Sequence, residues 1–433
     1  MKNITIRTTI FSIVLFLFQF YTASAQYTEG VFVLNEGGAG SGNASVSFIN
    51  NDAVTNNIYG TQNPGIPALG DTAQSISFNG DFAYIVLNIS NTIKVVNRNT
   101  FAYVATISTG ISNPRYMSFA NGKGYVTNWG DGGTESTDYL AVINLEDNSV
   151  ETTISIAKGS ERILTINDKL YVAHQGGFGV ENKVSVINPI TQLVEQIIEV
   201  GDVPNSLLVK DGFLYVLCAG KPSWYPEQTD GRLVKIDLAT NAIVSTLEFP
   251  EMHPNNLEIN AAATHFFYTV DENIYTIAID AATLPTAAVC SLSAQGVYGI
   301  YGMDLIDDKI YVADAGNYAS PGTVYIFSTA GILLQDFTVG VIPNSFYKAI
   351  NVLGNATNTT AVAMSLYPNP ASDVFYVNNV ENAAIKIYDA TGRLAKELAY
   401  TTSGVSTSDL AAGIYFVEIS SNSSRSVQRL IVK

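Results

Sequence analysis

The chain is 433 residues long, 47% apolar and 14% charged, with a formal net charge of −16. That apolar content excludes a disordered polymer and leaves material for one large folded body and a smaller one. The acidity excludes phosphate backbones and anionic membrane surfaces as natural partners, so no nucleic acid is expected to bind.

The first 25 residues carry Lys2 and Arg7, an apolar run from Ile10 to Phe20, and Ala23-Ser24-Ala25 ahead of Gln26. A charged start, an apolar stretch too short to span a bilayer comfortably and an A-x-A site describe a signal peptide over residues 1–25. Its removal makes the mature chain more acidic still, which suits solubility outside the cell. No cysteine stands at the cleavage point, so lipid attachment there is not expected. The two cysteines, Cys218 and Cys290, lie far apart and each within a predicted strand. They read as buried free thiols and not as a disulfide framework.

From residue 26 to 353 the sequence repeats itself. "KGYVTNWG" from Lys123, "KLYVAHQGG" from Lys169, "FLYVLCAG" from Phe213 and "KIYVADAG" from Lys309 are each followed by a polar loop and a second apolar run. A diverged copy, "HFFYTVD", starts at His265. A spacing of about 45 residues holding four short strands is what one blade of a β-propeller requires. Tyr (24), Phe (20) and Gly (34) add the composition of an all-β chain. Innermost strands are predicted near Gln74, Arg115, Arg162, Asn205, Asn255, Gly302 and Asn344, and second strands near Phe32, Ala83, Gly124, Leu170, Leu214, Phe266 and Ile310. The two series are one step out of phase. The last blade therefore takes its inner strand from the C-terminal end and its other three from the N-terminal end, closing a seven-bladed ring.

The tetrapeptide Tyr125-Val126-Thr127-Asn128 is the one that names the YVTN family of propeller repeats. With "VFVLNEGGAGSGNASVSFIN" from Val31 and "NPRYM" from Asn113, residues 30 to 350 resemble exported propellers of the YncE-like, DUF5074 type. The resemblance is informative about fold and says little about ligand. Some exported propellers of this type bind cobalamin at the cell surface beside an outer-membrane transporter. Seven-bladed YVTN-like propellers also resemble lactonases, for which Glu36, Arg115, Arg162 and His174 would supply a set of polar groups.

Residues 354–360 are polar and read as a linker, and residues 361–433 as a small Ig-like β-sandwich. "SLYPNPASD" from Ser365, "IKIYDATGRL" from Ile385, "LAAGIYFVEI" from Leu410 and the terminal "RLIVK" resemble, in that order, the type A sorting domain of the type IX secretion system. The resemblance implies recognition by the outer-membrane translocon through residues 361–433, removal by a sortase-like enzyme, and a cargo released from or coupled to the surface of a Gram-negative bacterium after passage through the periplasm. A monomer is expected.

Long polar segments fall on one end of the ring and tight turns such as "FNGD", "INDK" and "VKDG" on the other. The long-loop face is the natural binding surface. Its candidate residues are Asn35, Glu36, Arg115, Asn128, Trp129, Arg162, His174, Gln175, Trp224, Tyr225, Asp314, Asn317 and Tyr318. Tryptophan and tyrosine suit stacking on a sugar or a macrocycle. With only His174, His253 and His265 available and no nucleophile elbow beside them, no catalytic triad is read. The carboxylates Asp131, Glu135 and Asp138 lack the order of a calcium loop, and the glycine runs do not join a strand to a helix. No metal site, cofactor or catalytic residue is therefore assigned. The ligand is expected to be a small molecule or glycan, with a surface protein or a hydrolysed lactone as alternatives.

Overall fold

The computed structural model describes residues 26–132, 134, 137–350, 366–377, 383–389, 393–400, 402, 404–421 and 424–433. The expected signal peptide and linker lie outside these residues. The chain forms two compact units, Met1–Val352 and Leu353–Lys433. Among the described residues no helix is long and apolar enough to cross a membrane.

Among the described residues the first unit holds seven four-stranded antiparallel sheets. Their inner strands are Ala73–Asn79, Pro114–Ala120, Ser160–Ile166, Pro204–Lys210, Asn255–Ile259, Gly302–Ile306 and Pro343–Ile350. Each packs on the next, and the last packs back on the first. This is the β-propeller architecture. The closing sheet joins both ends of the unit: Glu29–Asn35 pairs with Pro343–Ile350, with Val33 opposite Phe346.

Seven apolar clusters lie between consecutive sheets, the seventh between the sheets of Lys309–Asp314 and Glu29–Asn35. The repeat follows from this. In Lys123–Asn128 the side chains alternate between two cores: Tyr125 joins Leu170 and Val172 of the following sheet, while Val126 joins Tyr84 and Val86 of the preceding one. A strand buried on both faces is apolar through its middle, here Tyr125 and Val126, whereas the outer strand Ser149–Ser155 is largely exposed. Tight turns at the short-loop end use left-handed pairs, Asn167 with Asp168 and Asp307 with Asp308, which suit two-residue hairpins. At Gly302 a β-carbon would lie 2.0 Å from the carbonyl oxygen of Asn344, so only glycine lets these inner strands approach.

Two outer strands are shorter than expected, Ala53–Thr55 and Cys290–Ser291. After the first comes a helix, Ile58–Gln62, absent from the sequence reading; it buries Ile58 and Tyr59 and is too short for its periodicity to register. Cys218 is buried, Cys290 partly so, and both are free.

In the second unit, Leu394–Tyr400, Ala383–Asp389, Gly413–Ser421 and Ser424–Val432 form one antiparallel sheet, and Leu366–Tyr367, Val374–Val377 and Val405–Ser406 another. Phe375, Ile385, Val417 and Leu430 share one core between them.

Candidate functional site: the channel and its long-loop mouth

Entry into the inner strands is irregular. Thr72, Asn113, Val203 and Ile342, each just before such a strand, have positive φ, a strained conformation for the β-branched Thr72, Val203 and Ile342. The pairing then slips by a bulge at Ala73/Ser75, Pro114/Met117, Ser160/Ile163, Pro204/Ser206 and Asn255/Glu258. Bulges re-aim side chains. Here they turn Gln74, Arg115, Glu161 and Asn205 across to a neighbouring sheet.

The result is a belt around the channel mouth. Gln74 donates to the Tyr116 hydroxyl at 3.3 Å, and Asn205 to the Pro254 carbonyl at 2.9 Å. Asn344 donates to the Ala73 carbonyl at 3.0 Å. Arg115 grips Glu161 with two parallel bonds, Nε to Oε2 at 2.9 Å and Nη2 to Oε1 at 2.8 Å. Its guanidinium lies 4.0 Å from the centre of the Trp129 ring, and Trp129 Nε1 donates to the Ser160 carbonyl at 2.7 Å. A bidentate, largely desolvated pair over an indole is a rigid element.

Glu36 stands beside this pair. It accepts from Asn344 at 3.1 Å and from the Tyr301 hydroxyl at 2.9 Å. Burial pushes its carboxyl above the usual range, opposed by those two bonds and by the charge of Arg115. The Tyr301 and Tyr318 rings meet edge to face with centroids 5.7 Å apart, and Tyr318 is 56% exposed.

Below the mouth the channel is a cavity of about 230 Å³ lined by residues of all seven inner strands, Arg162 among them. Arg162 stacks 4.4 Å from the Tyr116 ring centre. Two carboxyls, Glu258 and Asp304, line the same cavity. Burial, the charge of Asp304 and the opposing charge of Arg162 leave Glu258 well above the carboxylate range, and burial pushes Asp304 up to about 7.

The thirteen residues expected on the loop face thus separate. Glu36, Arg115, Trp129 and Tyr318 come together at the mouth, and Arg162 sits deeper. Asn35, Asn128 and His174 are wholly buried and not on the surface. Asn35 donates to Ser47 at 3.0 Å, and Asn128 accepts from the Ser112 amide at 3.0 Å. His174 Nδ1 faces the Lys158 carbonyl at 3.1 Å, which makes it the donor and leaves Nε2 to accept from Ser185 at 2.8 Å. Burial lowers its pKa to about 4. It is therefore not free to join Glu36, Arg115 and Arg162 in hydrolysis. Gln175 holds its loop through backbone bonds to Gly159 and Glu181, Asp314 accepts from the Gly316 amide, and Asn317 from the Ala319 and Ser320 amides. Trp224 and Tyr225 meet each other edge to face, and Trp224 is 80% exposed. Among the described residues no hydrogen bond or ring contact joins this pair to the mouth. His265 is exposed at the start of the strand His265–Val270.

Sequence reasoning missed Glu161, Glu258, Tyr301, Asp304 and Asn344 as channel or mouth residues. A family model described as a domain of unknown function, DUF5074, matches residues 29–403. The chain belongs to the DUF5074 family. Among solved structures, this DUF5074 protein resembles a functionally unknown protein from Desulfotomaculum acetoxidans at 10% identity and a TM-score of 0.53, covering 74% of this chain and 99% of that one. It also resembles Kuenenia stuttgartiensis hydrazine synthase at 14% identity and a TM-score of 0.51, covering 64% and 92%. At such identities the likeness concerns fold alone. No curated protein matches the sequence.

Proposed function

We propose that this chain is an exported, seven-bladed DUF5074 propeller that binds a small molecule or glycan on its long-loop face, above the channel mouth. The observation that carries this reading is the Tyr301–Tyr318 pair, two partly exposed rings of which one is tied through its hydroxyl to Glu36 beside the Arg115–Glu161 pair. Flat aromatic surface next to fixed acceptors and a cation is suited to recognising a ring that carries hydroxyls or amides. Tyr298, 93% exposed, adds a further aromatic on the same connection. Cobalamin is the sharpest version of the ligand, and it rests on the family resemblance alone.

The test is titration of the purified mature chain with cobalamin and, in parallel, a glycan array. One ligand class should bind at micromolar concentration, and Tyr318→Ala should weaken it at least tenfold, since an aromatic stacking contact contributes about 1–3 kcal/mol. No binding to either class, or binding indifferent to Tyr318 and Glu36, overturns the reading. Export belongs to the same proposal: residues 1–25 lead the chain into the periplasm and residues 361–433 address it to the type IX translocon. Deleting 366–433 should then leave the protein in the periplasm of its host, and its appearance in the medium would count against that address.

A further inference from the structure

Six inner strands contribute their third residues to the channel: Ser75, Tyr116, Arg162, Ser206, Asp304 and Ser345 all line its cavity. The bulge at Asn255/Glu258 brings Glu258 into the same lining. Charge in this lining is unusual. Arg162 lines the cavity and stacks on the Tyr116 ring; among the described residues no hydrogen bond or ion pair engages it, while Tyr347, Asp304 and Glu161 act on its charge through space. Asp304 accepts one bond, from the Phe346 amide at 2.9 Å, and Glu258 one from the Leu305 amide. Neither carboxylate reaches Arg162 within ion-pair distance, although all three interact electrostatically. Arg115, the second residue of its inner strand, shows the contrast, since its Nε and Nη2 both bond Glu161.

Arg162, Glu258 and Asp304 are each half-buried and face the cavity, and the two carboxyls are held toward the neutral form by burial, for want of a nearby cation, so an ammonium group between them would draw them back to carboxylates. The two carboxylates stand on consecutive inner strands, Asn255–Ile259 and Gly302–Ile306, and Arg162 on a strand two sheets before the first of them. The signs of charge are therefore separated across the cavity, complementary to a molecule that is itself split into an anionic and a cationic end.

We propose that the channel interior is a second binding site, for a small zwitterion of the α-amino acid class, with Arg162 taking the carboxylate and Glu258 and Asp304 the ammonium group. A cavity of about 230 Å³ admits a molecule of that size and excludes a glycan or a macrocycle. The site is independent of the loop-face ligand, whose contacts lie at Glu36, Tyr301 and Tyr318.

The test is calorimetric titration of the mature chain with L-alanine and L-serine, set against propionate, L-alanine methyl ester and N-acetyl-L-alanine, which each lack one charge. The zwitterions should bind, and each single-charge analogue should bind at least tenfold more weakly. Arg162→Gln should abolish carboxylate discrimination and Glu258→Gln should weaken the ammonium end, while Tyr318→Ala, outside the cavity, should leave affinity for L-alanine unchanged. Because the analogue comparison uses the unaltered protein, it stands even where Arg162→Gln fails to fold. Absence of zwitterion binding, equal affinity for propionate, or loss through Tyr318→Ala would each overturn the proposal, and the first two leave the loop-face reading intact.

Discussion

His174 shows how far one side chain's role departs from its chemistry in isolation. On a loop face a histidine suggests acid–base work, yet this ring is wholly buried, donates to Lys158 and accepts from Ser185, and is neutral. Its pKa, lowered by burial to about 4 from the ordinary 6.5, contributes stability that is present above pH 6.5 and lost as pH falls through 4. A shift of that size corresponds to about 3 kcal/mol. Urea unfolding at pH 7 and pH 4 should therefore show a steeper acid loss in wild type than in His174→Gln, whose amide does not titrate. Parallel losses would mean that His174 is not held neutral. Asp304 acts in the opposite sense: its carboxyl, raised to about 7 by burial, favours the folded state below the ordinary carboxylate range and ceases to do so as pH rises through 7. The polarity of these residues was legible in the sequence, but their burial was not. His174 ends the strand Lys169–His174, and whether a strand's last residue points into a loop or into the inter-sheet core depends on pairing that local pattern leaves open.

At the scale of the strand, the repeat was readable because it is forced. Strands clamped between two cores need apolar side chains through their middles, so the Tyr-Val runs stand out, and the inner strands fall within two residues of their expected starts. The out-of-phase ends pointed to the closing sheet, and Glu29–Asn35 does pair with Pro343–Ile350. The bulges were not readable in the same way, although Pro114, Pro204 and Pro343 begin three of the bulged or strained strands and Pro254 precedes a fourth. Proline there marks where the ladder starts, and the residues after it supply the belt. The closing sheet has a testable consequence. Val33 is fully buried and lies between Ser47 and Phe346 in a strand paired on both sides. Val33→Pro removes a ladder donor there and should cost about 1–3 kcal/mol or more, the penalty of leaving a buried carbonyl unpaired. Since this sheet completes the ring, the loss should appear in the global unfolding midpoint. Fraying confined to residues 29–35 and 343–350 by hydrogen exchange, with the midpoint unmoved, would show that closure is not what holds the unit together.

For the whole molecule the decisive feature is that, among the described residues, each unit has apolar clusters of its own. The seven inter-sheet clusters draw on residues 27 to 349, and the cluster around Phe375, Ile385, Val417 and Leu430 draws on residues 371 to 432. A segment that serves as an export address and is then cut away must be dispensable to its cargo, and separate cores satisfy that condition physically. A chain ending at Val352 should keep the main thermal midpoint of the full protein within about 2 °C, because all seven inter-sheet clusters of the first unit are retained. Calorimetry of the full chain should add a second, smaller transition, with an enthalpy on the order of 50 kcal/mol for a body of this size. One cooperative transition for the full chain, or a propeller midpoint lowered by the truncation, would tie the two units into a single folding body. In that case removal of residues 361–433 after export would destabilise the propeller, and the sorting-domain reading would lose its physical basis.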